Sequence, residues 1–245
     1  ETVLKVMDSL WDEAESDFDK AAALYRQAGD ELGAAEIANQ QALSSLLRNQ
    51  LSAAEDGAGQ AYAAHLRLNN PAGQAFSLEL LARVGLAGGL WDKTADYAAR
   101  AAEIYHRENN LSALQEVKMI EASARWQKHD AAGSEEVLRS MLELNKKHHS
   151  CYHIANVYNF LGLIFLEQGD YRRAKGFFQQ SLDCELASGR DKGAALDYAN
   201  LALVDSRRGL PEQAAESLEK ALEIARVSED EDLCRLIQNQ IKAPS

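Results

Sequence analysis

The sequence predicts an all-α solenoid of antiparallel helix pairs, and three observations carry that prediction: a forty-residue internal period, columns of small residues in phase with it, and helix breaks at regular positions. At this spacing Trp11, Leu51, Trp91, Ala131, Tyr171 and Pro211 fall in one column. Ala14, Ala54, Thr94, Ser134, Ala174 and Ala214 form a second, and Ala21, Ala61, Ala101, Met141, Ser181 and Ala221 a third. A fixed period of this length marks units that bury their apolar faces only by stacking on one another. Small residues in two of the columns let neighbouring helix backbones approach to roughly 8–10 Å.

Taken in order, each period divides into two apolar-periodic segments. Breaks between units are expected at Gly29-Asp30, Asn69-Asn70, Asn109-Asn110, His149-Ser150, Ser188-Gly189-Arg190 and Glu229-Asp230. Breaks within units fall at Asn49-Gln50, Gly88-Gly89, His129-Asp130, Gln168-Gly169-Asp170 and Arg208-Gly209. Gly or Asn at most of them suits the left-handed residue that closes a helix. Start signals agree: Asn70 precedes Pro71, Leu210 precedes Pro211, and Ser228 with Glu231 reads as a capping box. The fourth period is the clearest, with Tyr152–Glu167 and Tyr171–Leu186 both at helical spacing. The reading is about twelve helices of sixteen to eighteen residues in a single domain over 1–245, about six units with the first incomplete. Glu1 falls inside a helix by this register, which implies preceding sequence and leaves Val3, Leu4 and Met7 with part of their packing.

Composition narrows the function classes. The net charge is −12, and residues 1–90 carry thirteen acidic against six basic side chains. Such a chain repels a phosphate backbone, so no nucleic acid is expected as partner. No apolar run reaches membrane-spanning length, so no membrane role is expected. Cys151, Cys184 and Cys234 read as reduced thiols on separate units, which with the absence of a signal peptide suggests a cytoplasmic location. The His148-His149-Ser150-Cys151-Tyr152-His153 stretch holds metal-competent side chains without a recognised ligand spacing. No catalytic, cofactor or metal motif appears, so an enzyme is not expected.

The run Leu161–Leu182 (LGLIFLEQGDYRRAKGFFQQSL) resembles the tetratricopeptide repeat, with Leu161, Gly162, Gly169, Tyr171, Ala174, Phe178 and Ser181 in the family's places. Weaker matches run along the chain; the unit with Glu121-Ala122 and His129 is the most degenerate. The forty-residue length resembles the long-repeat branch of kinesin light chains, Pins-type adaptors and Rap-type peptide receptors. The resemblance implies a right-handed superhelix whose first helices line a concave groove. By that resemblance the candidate partner-binding residues are Asn39, Glu79, Arg83, Glu116, Asn156, Asn159, Asn200 and Arg207. Asparagine is disfavoured inside helices, so these amides bond either an extended peptide backbone or each other across helices. The expected function is a protein- or peptide-binding scaffold, its ligand a basic or amphipathic segment. The alternative is a ligand- or peptide-sensing arm of a larger signalling or transcription-regulating protein.

Overall fold

The computed structural model describes the backbone of residues 2–148, 151–228 and 230–242, and the side chains of 11–145, 153–228 and 230–239. Twelve helices lie among the described residues: α1 (Thr2–Ala28), α2 (Glu31–Leu47), α3 (Leu51–Arg67), α4 (Pro71–Ala87), α5 (Trp91–Arg107), α6 (Leu111–Gln127), α7 (Ala131–His148), α8 (Cys151–Glu167), α9 (Tyr171–Ala187), α10 (Asp191–Arg207), α11 (Pro211–Val227) and α12 (Glu231–Lys242). From α2 onward a helix begins every twenty residues, so the expected breaks lie where the sequence puts them. The typical helix has seventeen residues, as in α4 and α9, or about 25 Å at the α-helical rise.

The turns, of two or three residues, are built alike. A left-handed residue stands at the centre: Gly29, Gly89, Gly169, Gly189 and Gly209, or Asn49, Asn69, Asn109 and His129. Its neighbours close the preceding carbonyls, with Asp30 N donating to Tyr25 O at 2.9 Å and Leu90 N to Gly85 O at 2.8 Å. The next residue caps the following helix where it can: Asp30, Asn70, Asn110, Asp130, Asp170 and Asp230 each accept from a backbone N–H three residues on. Pro71 and Pro211 open their helices without losing an intrahelical bond.

Two expectations need correction. Helix α12 is opened by Asp230, whose carboxylate accepts from Leu233 N at 2.8 Å; Ser228 closes α11 and donates to Ala225 O. Helix α1 runs for 27 residues through Ser9-Leu10, where the register would place a turn. Neither residue there is the Gly or Asn that a left-handed reversal favours, so Trp11 lies inside a helix while Leu51, Trp91, Ala131, Tyr171 and Pro211 each begin one. The packing expected of Val3, Leu4 and Met7 lies outside the described side chains, as do the His149-Ser150 turn and Glu229.

The chain divides into two compact units, residues 1–134 and 135–245. In the first, each helix from α1 to α6 packs on the next, and α4 also meets α2 and α6. In the second, α8 to α12 pack consecutively and α10 also meets α12. Small residues hold the crossings: Ala54, Thr94, Ala174, Ala101 and Ala221 are fully buried, and Ser181 donates to Ala155 O across the α8–α9 crossing. Gly162 on α8 is a tight case, since a Cβ there would stand 2.6 Å from the Phe178 ring. Around Phe178 the core gathers Phe165, Leu182, Leu201 and Val204, with Phe177 stacked on Phe165 at 5.4 Å.

Neighbouring units are out of step by two residues. Long-range side-chain bonds recur at a separation of 38 rather than 40: Ser77 to Asn39, Lys93 to Glu55, Arg100 to Tyr62, Asn159 to Asp197, Lys175 to Gln213 and Lys192 to Asp230. Equivalent helices are therefore displaced by about 3 Å along their axes.

Gly162→Leu or Ala174→Leu should cost roughly 1–3 kcal/mol by overpacking, while Lys220→Ala, which removes an exposed pair with Glu216, should stay within about 0.5 kcal/mol. Equal urea midpoints for the three variants would contradict these crossings. His129 holds φ at 64° as a non-glycine residue, so His129→Gly should raise thermal stability by about 1 kcal/mol. A lower melting temperature for that variant would show that the side chain outweighs the backbone strain.

Candidate partner-binding surface

The polar residues of the first helices (α2, α4, α6, α8, α10) fall into two rows with different roles. The inner row builds buried junctions between a first helix, its own second helix and the next first helix. In the first unit, Asn39 is 2% exposed and its amide meets His65 Nε2 at 3.2 Å and Ser77 Oγ at 2.8 Å. Glu79 occupies the same place forty residues on, its Oε2 accepting from Tyr105 Oη at 2.8 Å and its Oε1 from Arg83 Nε at 3.0 Å. In the second unit the place is filled by Asn159, which donates to Asp197 Oδ1 at 2.6 Å, near Glu185. Residues 39, 65 and 77 and residues 159, 185 and 197 are thus one junction repeated three periods apart, with different chemistry each time.

Glycine makes room for these junctions. A Cβ on Gly73 would collide with the His65 ring, and one on Gly193 with the Glu185 carboxylate. Each glycine stands third in its helix, eight residues after the side chain it admits.

The His65 junction is fixed by a cap. Asn70 accepts from Gly73 N through Oδ1, so its NH2 faces His65 Nδ1 at 3.2 Å and that nitrogen must accept. Nε2 then carries the proton, which requires the Asn39 amide to be turned over from the placement that sets its Nδ2 3.2 Å from Nε2 and its Oδ1 2.8 Å from the Ser77 hydroxyl, and leaves Ser77 donating to Gly73 O at 2.9 Å. Burial holds the imidazole below its usual range, with Glu36 pulling weakly the other way, so the ring stays neutral.

The second unit's junction is less well satisfied. Asp197 is 1% exposed and its Oδ2 has no hydrogen-bond partner, nor has Glu185 Oε2, although Arg190 reaches Glu185 Oε1 at 2.7 Å. Burial pushes the Asp197 carboxyl up to about 6, against the nearby Ser181 hydroxyl and the Asn159 amide, which favour its charged form. Glu185 is raised by burial as well, with Arg190 opposing.

The outer row faces solvent. It holds Glu36, Glu116 and Asn156 in one column and Leu43, Arg83, Ser123, Leu163 and Leu203 seven residues further along, half-buried or exposed throughout. Glu116 keeps 52% of its side chain exposed and lies 3.7 Å from Arg83 Nη2. Of the eight sequence-predicted residues, then, Asn39, Glu79 and Asn159 are junction members and Asn200 is buried in α10. Arg83 links the rows, Glu116 and Asn156 are accessible, and Arg207 stands exposed at the end of α10. Sequence reasoning missed His65, Tyr105, Glu185 and Asp197. The signal was present, since an Asp inside the apolar helix of Leu196–Val204 has no local reason to be there.

A carboxyl whose folded value lies above its unfolded one binds its proton more tightly when folded, so its stability contribution is lost as pH rises through about 4 to 6. Asp197→Asn should therefore raise the unfolding free energy at pH 7 by about 1–3 kcal/mol, read from urea melts, and flatten that pH dependence. A variant that is less stable at pH 7, with the wild-type slope intact, would contradict the buried charge. The His65 ring should titrate below 6.5 when followed by NMR, and a midpoint above that value would undo the junction.

The tetratricopeptide repeat profile matches residues 155–183, covering most of α8, the turn and much of α9. No curated protein matches the chain by sequence. Among solved structures, BtubC (BKLC) from P. vanneervenii superposes with a TM-score of 0.77 at 18% identity, over 91% of this chain and 92% of its own. A Rap protein complexed with competence and sporulation factor gives 0.70 at 19% identity, over 94% of this chain but 62% of Rap. A Podosopora anserina kinesin light chain-type protein of nearly identical repeats gives 0.65 at 16% identity, over 79% of this chain and 95% of its own. The chain thus carries one matched tetratricopeptide repeat, at its most regular helix pair, and shares along its helices the fold of these repeat structures.

Proposed function

We propose that this chain is a non-catalytic scaffold that holds a protein or peptide segment against the outer row of its first helices. The observation that carries the reading is the division of polar groups: the inner row is consumed in junctions, whereas Asn156, Glu36 and Glu116 present side chains that no described hydrogen bond within the fold occupies. Asn156 lies beside half-buried Leu163 and Leu203, an amide next to apolar surface, which suits a peptide backbone flanked by side-chain pockets. Asn159 adds a carbonyl oxygen, because its NH2 is held by Asp197. In the first unit the row is acidic, which favours a basic segment there. The reduced, half-buried thiols of Cys184 and Cys234 suit a reducing compartment such as the cytoplasm.

The sensing-arm alternative is favoured by one comparison: the Rap protein that shares this fold was solved with a bound factor and extends well beyond the matched region. Both readings place a segment on the same helices.

Asn156→Ala should weaken binding of a partner captured from the native cell by about two- to tenfold, the worth of one or two backbone hydrogen bonds, with an unchanged urea midpoint. Adding Asn159→Ala should extend the loss to roughly ten- to a hundredfold, together with lower stability because Asp197 loses its donor. A partner that binds both variants as tightly as the wild type would move the interaction to another face.

A further inference from the structure

The charge of this acidic chain is locally reversed at one edge of the second unit. A hollow of about 580 Å³ opens at the α8–α9 turn, lined by Arg172, Arg173, Tyr171, the turn residues 168–170 and, from the next turn along, Arg208. Its carboxylates are already engaged. Asp170 caps α9 and binds Arg173 Nε at 2.5 Å. Asp205, below Arg208, is 2% exposed and takes Lys175 Nζ on both oxygens at 2.8 Å besides Arg208 Nη1 at 3.3 Å.

Arg173 and Arg208 are held in place before any ligand arrives. Arg173 Cζ stands 4.1 Å over the centre of the Phe165 ring, and a guanidinium, with five N–H donors, can take a second acceptor besides Asp170. Arg172 has no ion-pair partner among the described residues, and Arg208 keeps 40% of its side chain exposed. Planar guanidinium forks select carboxylates with two parallel bonds, and pre-positioning lowers the ordering cost of binding. The arginines reach one hollow from the α8–α9 and α10–α11 turns, so an extended chain with spaced carboxylates can engage more than one of them.

We propose that this arginine edge is a second interaction surface, separate from the first-helix row, and that it takes an Asp/Glu-rich segment of a partner protein. It serves ligands of the charge opposite to the one favoured by the acidic first unit. A scaffold with two such surfaces holds two partners of unlike charge at once.

The test is fluorescence anisotropy with a labelled peptide of alternating Glu and Gly, a Lys/Gly peptide as control, and the whole chain as receptor. The acidic peptide should bind and the basic control should not bind at this edge. Raising salt from roughly 0.05 to roughly 0.3 M should weaken the complex about tenfold. Arg172→Glu with Arg208→Gln should weaken it at least about tenfold, while Asn156→Ala leaves it unchanged. Should the double variant melt early, Arg172→Gln alone replaces it, with about a threefold loss expected, since Arg172 supports no contact of the fold. Absence of binding at low salt, or equal binding by the arginine variants, overturns the proposal. So does tighter binding of pyrophosphate or of a single-stranded oligonucleotide through the same arginines, either of which would make this a phosphate site.

Discussion

The close approach of helix backbones at each crossing is the constraint on which the rest of this structure depends. With about seventeen residues in most helices and short turns between them, a first helix, its second helix and the next first helix pack together repeatedly within each compact unit. Ala, Ser, Thr or Gly stands at the centre of most crossings, and a larger neighbour such as Phe178 then fills the space beside the small residue. Relaxing the crossing at Gly162 would release Phe178 and, with it, the cluster of Phe165, Leu182, Leu201 and Val204.

The same closeness explains the buried polar junctions. Where three helices converge, side chains 26 and 38 residues apart come within hydrogen-bond reach, as Asn39 does with His65 and Ser77. A repeat can fill that place with an amide and an imidazole, with a carboxylate, phenol and guanidinium, or with an amide and two carboxylates. The last choice leaves two carboxylate oxygens without a bond inside the fold. Burial of an underpaired acid lowers stability without a packing gain, and such groups concentrate where a protein works rather than where it merely folds. The Asp197 junction directly underlies Asn159 on the proposed partner surface, so its cost falls at the place where pre-orienting an amide has a use.

The turns and the crossings were legible in the sequence because each is decided locally. Gly89 and Asn109 announce left-handed backbone, and Ala54, Ala174 and Ala221 announce close approach, whatever the neighbours are. The fates of the amides were not legible. Whether Asn39 faces a groove or a neighbour depends on the two-residue offset between units, which no single helix encodes, and Asn156 and Asn159, three residues apart, end in different rows. Alpha-helical continuity through Ser9-Leu10 was also hidden, because the column at Trp11 fits the period although the turn residue before it is missing. The reading of Ser228 as a cap failed for a simpler reason: Asp230, two residues on, offers the same bond at the place where the helix starts.

The crossing itself can be measured most directly by a double-mutant cycle between Gly162 and Phe178. In the interior of an unconstrained helix, Gly→Ala stabilises by about 1 kcal/mol. If the crossing governs the fold, Gly162→Ala should destabilise the wild-type chain and turn neutral or stabilising in a Phe178→Ala background, a coupling above about 1 kcal/mol. The same change in unfolding free energy in both backgrounds would show that the ring and the glycine do not constrain one another, and the account of small-residue crossings would fail.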